Sequence, residues 1–502
     1  MKKLKKVFLS VTSSLLIAAN VLAMPACGEE TVSGVTTGDV PVTAYEGGQV
    51  TISFYHCMGS ALRDILTDGI ADFNKIYPNI KVLATPFGDY PGVRDQVSTE
   101  LASERAPSLA YCYPDHVALY NKSKTVLPLD EWISSTATTA GSNELVGMTQ
   151  AQVEDYNPIY WNEGKIFDDA GTMYTLPMLK STELLYYNKT YFAANNLTVP
   201  TTWDEMEATC KKILEIEAAK EGKNPCIPLG YDSSANWFIT MTEQLKSGYT
   251  TDEKGNYFVF NNDANHAFVE KFREWYQKQY VTTEETYGSY TSELFVQTDP
   301  AKTKAYMCIG SSAGAGYQTP KVLSDGKTYP FEVGVAMIPQ AKTAAELEAA
   351  NEEPTMISQG PSICLFKKQD TQEVAAAWLF AKYITSNHKF LAKCSMNNGY
   401  TPAVQSIQEN QTYKNFLAKA DSTDVNVRNK NLQAVAVRKT LEMKDYYFVS
   451  PAFNGSSAAR DAMAELMKNC FRQTPEGSQT AAQMIKGIFD KAEKDLKRKY
   501  DK

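Results

Sequence analysis

The sequence predicts an α/β chain of two lobes, each a mostly parallel sheet flanked by helices, the two joined by strands that cross between them. Three observations carry that expectation. A length of 502 residues exceeds what one core fills, and at about 150 residues per domain it asks for two large units or roughly three smaller ones. The first folded stretch alternates strand, helix and strand at crossover spacing. Residues 171–192, GTMYTLPMLKSTELLYYNKTYF, hold two apolar runs split by the polar Lys180-Ser181-Thr182-Glu183, so the segment reads as a strand, a polar bend and a second strand. A ligand is expected at that bend.

In chain order, Val50, Ile52, Phe54 and His56 alternate with Thr51, Ser53 and Tyr55, which marks a first strand. After Cys57-Met58-Gly59, Ser60 is placed to cap a helix whose Leu62, Ile65, Leu66, Ile70, Phe73 and Ile76 fall at helical spacing. Pro78-Asn79 stops it, and residues 80–83 read as the next strand. A crossover of this length makes a βαβ unit and hence a parallel sheet, whose ligands sit at the carboxyl ends of the strands. The loops at 55–59, 88–90 and 113–116 therefore draw attention, the last following a third strand at 108–112.

Beyond the bend, a helix begins near Tyr191. Thr202 and Glu205 form a capping box ahead of a stripe of Trp203, Met206, Cys210, Ile213 and Leu214. Residues 230–237 form a polar loop that carries Trp237. Phe268, Phe272, Trp275 and Tyr276 share a helical face that belongs to a core. A strand at 305–309 ends in the Gly/Ser run 310–316, which lacks the Lys-Ser/Thr ending of a phosphate-cradling loop. Another strand is expected at 331–338, a second crossing at 357–366, and a helix headed by Asp370 and Glu373 with Val374, Ala377, Trp378, Ala381 and Ile384 inside. Ala481, Ile485, Ile488, Phe489, Ala492 and Leu496 form the stripe of a last helix.

Composition narrows the function. The formal charge of −8, with no basic stripe outside the first six residues, argues against a nucleic-acid partner. Lys2, Lys3, Lys5 and Lys6, then an apolar run interrupted by Thr12, Ser13, Ser14 and Asn20, then Met24-Pro25-Ala26-Cys27, read as a signal peptide over 1–26. That run is too short and interrupted for a membrane span. Residues 27–48 lack an apolar period and read as a flexible linker. Nine cysteines form no CxxC or Cys/His cluster, so no metal site is expected; most are read as free thiols, with Cys210 and Cys226 the one pair considered for a disulfide. His56, His116, His266 and His388 are the only histidines, and neither GxSxG nor HExxH accompanies them. No catalytic residue and no cofactor is assigned, an exported glycoside hydrolase being the enzyme alternative because two carboxylates facing a cleft would suffice.

The segments FYHCMG, GDY, APSLAYCYPD, LKSTELLYYNK, CIGSSAG, VGVAMIP and GYTPA occur in an order that resembles extracellular solute-binding proteins of the maltose-binding type, and within them the glycerol-3-phosphate and oligosaccharide binders. Ala26-Cys27 similarly resembles the lipobox of bacterial lipoproteins, with Cys27 the acylated residue. The resemblance implies a type II periplasmic-binding-protein fold, with 49–177 plus 309–361 as the first lobe and 178–308 plus 362–502 as the second. It implies a monomer anchored by lipid at the outer face of the bacterial membrane, handing a carbohydrate to the permease and ATPase subunits of an ABC importer. Tyr90, Asp115, Ser181, Ser312, Gly360 and Tyr400 match positions that touch ligand in such proteins. His56, Ser60, Trp237 and Ser311 join them from loop placement. The phosphate-binding relatives carry an arginine just before the C-terminal helices, where this chain has residues 449–455 without one and no arginine until Arg460. A neutral mono- or oligosaccharide is therefore the expected cargo, glycerol 3-phosphate or a related polyol phosphate the alternative, and a surface glycan adhesin or sensor a more distant one.

Overall fold

The computed structural model describes residues 32–140, 144–220 and 225–501. The expected signal peptide and Cys27 lie outside the described residues. In chain order the strands are β1 Val50–His56, β2 Ile80–Pro86, β3 Leu109–Cys112, β4 Thr175–Pro177, β5 Leu179–Lys180, β6 Glu183–Asn188, β7 Leu229–Tyr231, β8 Val281–Thr283, β9 Met307–Ser311, β10 Val333–Met337, β11 Met356–Ile357, β12 Ser362–Leu365, β13 Thr401–Pro402 and β14 Tyr447–Phe448.

They form two five-stranded sheets, ordered β2-β1-β3-β12-β4 and β10-β6-β9-β7-β8. In the first sheet β1 runs parallel to β2 and β3, as the βαβ spacing requires, and β12 is antiparallel to β3 and β4. Both its faces are covered. Phe54, Tyr111, Ile363 and Leu365 meet Phe73, Trp378 and Phe380 on one side, while Ala110, Cys112 and Cys364 meet Val93, Val97 and Val117 on the other. A sheet covered on both faces explains why β3 is apolar along its whole length rather than alternating. The second sheet gathers its own core around Trp203, Trp237, Phe272, Trp275 and Phe489.

Two pairs of short strands lie where the chain passes between the sheets. β5 pairs with β13 and β11 with β14. These passages correct the expected division of the chain. The piece 309–361 was expected with the first lobe, yet β9 and β10 flank β6 in the second sheet. Conversely Ser362–Leu365, expected in the second, fills the slot between β3 and β4 with all four residues buried. The helices Thr371–Ser386 and His388–Asn398 follow it into the first core. The crossing at 357–366 was visible as apolar sequence, but its direction is set by strand pairing, which one chain's periodicity does not encode.

The described part of the expected linker is also ordered against the first sheet's half. Val35 and Tyr45 are buried, the Val35 amide donates to the Glu104 carbonyl at 3.0 Å, Thr36 donates to the Lys367 carbonyl at 3.0 Å, and the Ser33 amide donates to the Glu373 carboxylate at 2.6 Å. Cys210 and Cys226 are free thiols, so the pairing considered for them is not made. Ser60 is the first residue of helix Ser60–Ile76 rather than its cap; Gly59 holds that place without a side-chain bond. The capping box of Thr202 and Glu205 and the Asp370 cap are formed. Among the described residues no helix is long and apolar enough to cross a membrane, and no cluster of His, Cys, Asp and Glu could hold a metal.

Candidate functional site

The segments at the carboxyl ends of β2 and β3 deliver a stack of tyrosines. Asp89 accepts from the Gly92 amide at 2.7 Å, which starts the helix Tyr90–Leu101 and fixes Tyr90 in its first turn. The Tyr90 ring lies 4.2 Å from that of Tyr113 and 6.5 Å from that of Tyr111, nearly parallel to both. Tyr400 sits close enough to Tyr90 for their phenols to influence each other. Burial pushes all four phenols up, so each remains a hydroxyl at any physiological pH.

Facing this stack is the helix Ser456–Arg472 of the second core. Arg94, one turn beyond Tyr90, donates through Nη1 to Ser457 Oγ at 2.8 Å and to Asp461 Oδ2 at 2.9 Å on that helix. Arg460 answers in the other direction. Its Nη1 donates to Asn236 Oδ1 at 2.5 Å, and its Nε lies 3.6 Å from Asp115 Oδ2. Asn236 Nδ2 in turn donates to Glu183 Oε1 at 3.3 Å, and the Tyr231 hydroxyl donates to Glu183 Oε2 at 2.6 Å. Burial raises Glu183 to about 8, against the pull of those hydrogen bonds, with Asp232 adding to the rise. At neutral pH it is a protonated acid.

Arg460 is thus surrounded by Asp115, Tyr249, Tyr113 and Glu183, drawn from both halves. Several buried polar atoms here accept or donate no hydrogen bond: the Tyr111 and Tyr249 hydroxyls, His116 Nδ1, and Asp115 Oδ2, which has only the longer ion pair with Arg460. Burial holds His116 down to about 4, so it is neutral. At the edge of the same junction Glu284 is raised to about 7 by burial and by Glu285, Asp232 and Asp89, and beside it Tyr290 and Tyr317 are 59% and 75% exposed. A cavity of about 120 Å³ lined by Asn157, Tyr160, Thr401 and Gln405 lies behind the crossing strands and does not reach this cluster.

The positions expected from sequence divide into three groups. Tyr90, Asp115 and Tyr400 come together at the junction. Ser181, Ser312 and Gly360 line the crossing strands: Ser181 bridges Gln359, Ser312 donates its amide to the Thr182 carbonyl at 2.8 Å, and Gly360 has φ +96° with no room for a Cβ, which would lie 2.3 Å from the Leu179 carbonyl. The remaining four take other places. His56 is buried, with Nδ1 accepting from the Met58 amide at 3.1 Å; Ser311 Oγ accepts from the Ala313 amide; and Ser60 points to solvent. Trp237 is fully buried between Tyr231 and Phe272, at 4.8 and 4.0 Å, because the helix begins at Ser234 and winds it into the core. Arg460, Glu183, Asn236, Tyr113 and Tyr249 were not among the positions expected to touch ligand. Tyr113 adjoins Asp115 and Glu183 closes the polar bend, so both carried a local signal; Tyr249 carried none.

The family model for bacterial extracellular solute-binding proteins matches residues 69–420. The chain belongs to that family. The sn-glycerol-3-phosphate-binding periplasmic protein UgpB of Yersinia pestis bv. Antiqua (strain Antiqua) is 23% identical over 386 residues, covering 75% of this chain and 79% of its own. Among solved structures, UgpB from Mycobacterium tuberculosis in complex with glycerophosphocholine superposes with a TM-score of 0.64 at 15% identity, over 90% of this chain and 98% of that one. The maltose/maltodextrin-binding domain MalE from Bdellovibrio bacteriovorus bound to maltotriose gives 0.63 at 18%, over 89% and 100%. This solute-binding protein therefore has the type II periplasmic-binding-protein fold, and the Arg460 junction lies where its two halves meet.

Proposed function

We propose that this solute-binding protein captures a neutral carbohydrate between its two halves and delivers it to the permease and ATPase of an ABC importer, as a monomer exported and lipid-anchored through Cys27. The observation that carries the carbohydrate reading is the charge balance of the gap. Arg460 is compensated by Asp115 and bonded to Asn236, Arg94 is compensated by Asp461, and Glu183 keeps its proton. What such a gap offers is hydroxyls, an amide and ring faces, the groups that meet sugar hydroxyls and the C–H face of a pyranose. Closure on a solute stabilises the closed form by contacts that the open form lacks. Tyr90, Asp115, Tyr400, Ser181, Ser312 and Gly360 are proposed to line the ligand, joined by Tyr113, Asn236, Tyr249 and Arg460.

A second reading is favoured by Arg460 itself. Its Nη2 donates to no described residue, and a guanidinium is well suited to a phosphate, so glycerol 3-phosphate or a related polyol phosphate is the alternative. A thermal-shift screen of mono- and oligosaccharides, glycerol 3-phosphate and glycerophosphocholine separates the two. A specific solute at a hundredfold excess over its dissociation constant stabilises by about 2.7 kcal/mol. Stabilisation by a neutral sugar supports the first reading; stabilisation by the phosphorylated compounds alone replaces it with the second.

A further inference from the structure

The passages between the sheets hold a buried charge pair that the gap does not use. Side chains alternate along β5 and the bend after it, so Lys180 leaves the backbone on the side opposite Ser181. Lys180 Nζ donates to Glu163 Oε2 at 2.5 Å, and both side chains are nearly inaccessible, at 2% and 3%. The other carboxylate oxygen of Glu163 accepts from the Ser358 hydroxyl. Lys180 belongs to the first passage and Ser358 follows β11 in the second. The third is tied in as well, since the Ser358 amide donates to the Phe448 carbonyl at 2.9 Å and Thr401 registers with Lys180. Tyr160, one turn before Glu163, completes the back wall: its ring lies 5.7 Å from Lys180 Nζ and 5.8 Å from the ring of Tyr447. Glu163 and Tyr160 belong to the first half, packed beneath β4.

We propose that Glu163, Lys180 and Ser358 form a clamp that fixes the crossing strands to the first half and so governs how readily the two halves part. Opening the gap requires backbone rotation somewhere in the passages. Residues bonded to Glu163 cannot rotate without exposing or unpairing a buried charge, which is strongly unfavourable. Rotation is thereby confined to the side of the second half, at Ser181 and Thr182 in one strand and Met356 and Ile357 in the other. The clamp is a positioning device; none of its members faces the gap.

The test uses the full chain without any solute. The double variant Lys180→Met with Glu163→Gln removes both charges together, keeps volume close to native, and leaves an acceptor for Ser358, so no buried charge is stranded. Small-angle X-ray scattering is expected to show a larger radius of gyration than wild type, and the amides of Ser181 and Ser358 are expected to exchange with deuterium roughly tenfold faster or more, while amides of β1 and β9 do not change. Ser358→Ala alone, which releases the second passage and leaves the buried charge pair intact, is expected to move both readouts in the same direction by less, and it decides the matter should the double variant fail to fold. An unchanged radius of gyration and unchanged exchange at these amides in a folded variant overturns the proposal. The proposal rests on the two-halved reading and not on the solute's identity, so its failure leaves the carbohydrate proposal standing, and the reverse.

Discussion

Arg460 and Asp115 face each other across the gap, Nε to Oδ2 at 3.6 Å, one from a helix of the second core and the other from the first turn of the helix Pro114–Tyr120 that follows β3 of the first sheet. At that separation the pair is an ion pair rather than a tight hydrogen bond, and a ligand hydroxyl can take a share of both. Arg460→Lys keeps the charge but loses the planar fork and the bond to Asn236. Calorimetric titration with the solute found in the screen should show affinity reduced by about 10- to 100-fold, with the unfolding midpoint little changed because the side chain is partly exposed. Unaltered affinity would place the solute elsewhere.

Glu183 gives a pH signature. Its carboxyl is raised from 4.5 to about 8 by burial, so between those values the folded chain keeps a proton that the unfolded chain has released. The stability this group contributes is full below its unfolded value and is lost as pH rises through about 8. Glu183→Gln is neutral throughout. Urea unfolding between pH of about 5 and 8.5 should therefore show wild type losing stability relative to the variant as pH rises; parallel curves would mean that Glu183 is ionised in the folded chain.

Trp237 separates fold from site. Stacked between Tyr231 and Phe272 and fully buried, it contributes packing alone. Trp237→Ala should cost about 3–5 kcal/mol in denaturant unfolding. Where the variant still folds, its solute affinity should match wild type once corrected for the unfolded fraction.

How much of this was legible follows from where the information resides. Period-two alternation marked β1, and the capping box of Thr202 and Glu205 marked its helix, because both are local. Tyr90 and Asp115 were legible as neighbours of strand ends in a βαβ pattern. Arg460 was not, since it is one exposed-looking position on an ordinary amphipathic helix and acquires meaning only when that helix docks against the start of the helix Pro114–Tyr120. Trp237 misled for the opposite reason. An aromatic in a run of Ser, Asp and Asn reads as a loop, yet Ser233 caps a helix there and turns the indole inward. The exchange of 309–361 and 362–365 between sheets reflects long-range pairing, which no window of sequence contains.

Tyr290 and Tyr317 stand exposed at the rim, where ring faces suit sugar units that extend beyond the gap. Replacing both by Ala should leave stability within about 0.5 kcal/mol. Affinity for an oligosaccharide should fall several-fold while that for the corresponding monosaccharide holds; equal losses for both would remove the rim from the binding surface.

The central claim is that the gap around Arg460 receives an uncharged polyhydroxylated solute. Calorimetric titration of the wild-type chain with maltotriose and with glycerol 3-phosphate, at low and at high salt, tests it most directly. The account predicts saturable heat with the neutral sugar at an affinity that salt does not change, and none with the phosphate. Saturable, salt-sensitive binding of glycerol 3-phosphate with no response to the sugar would contradict it.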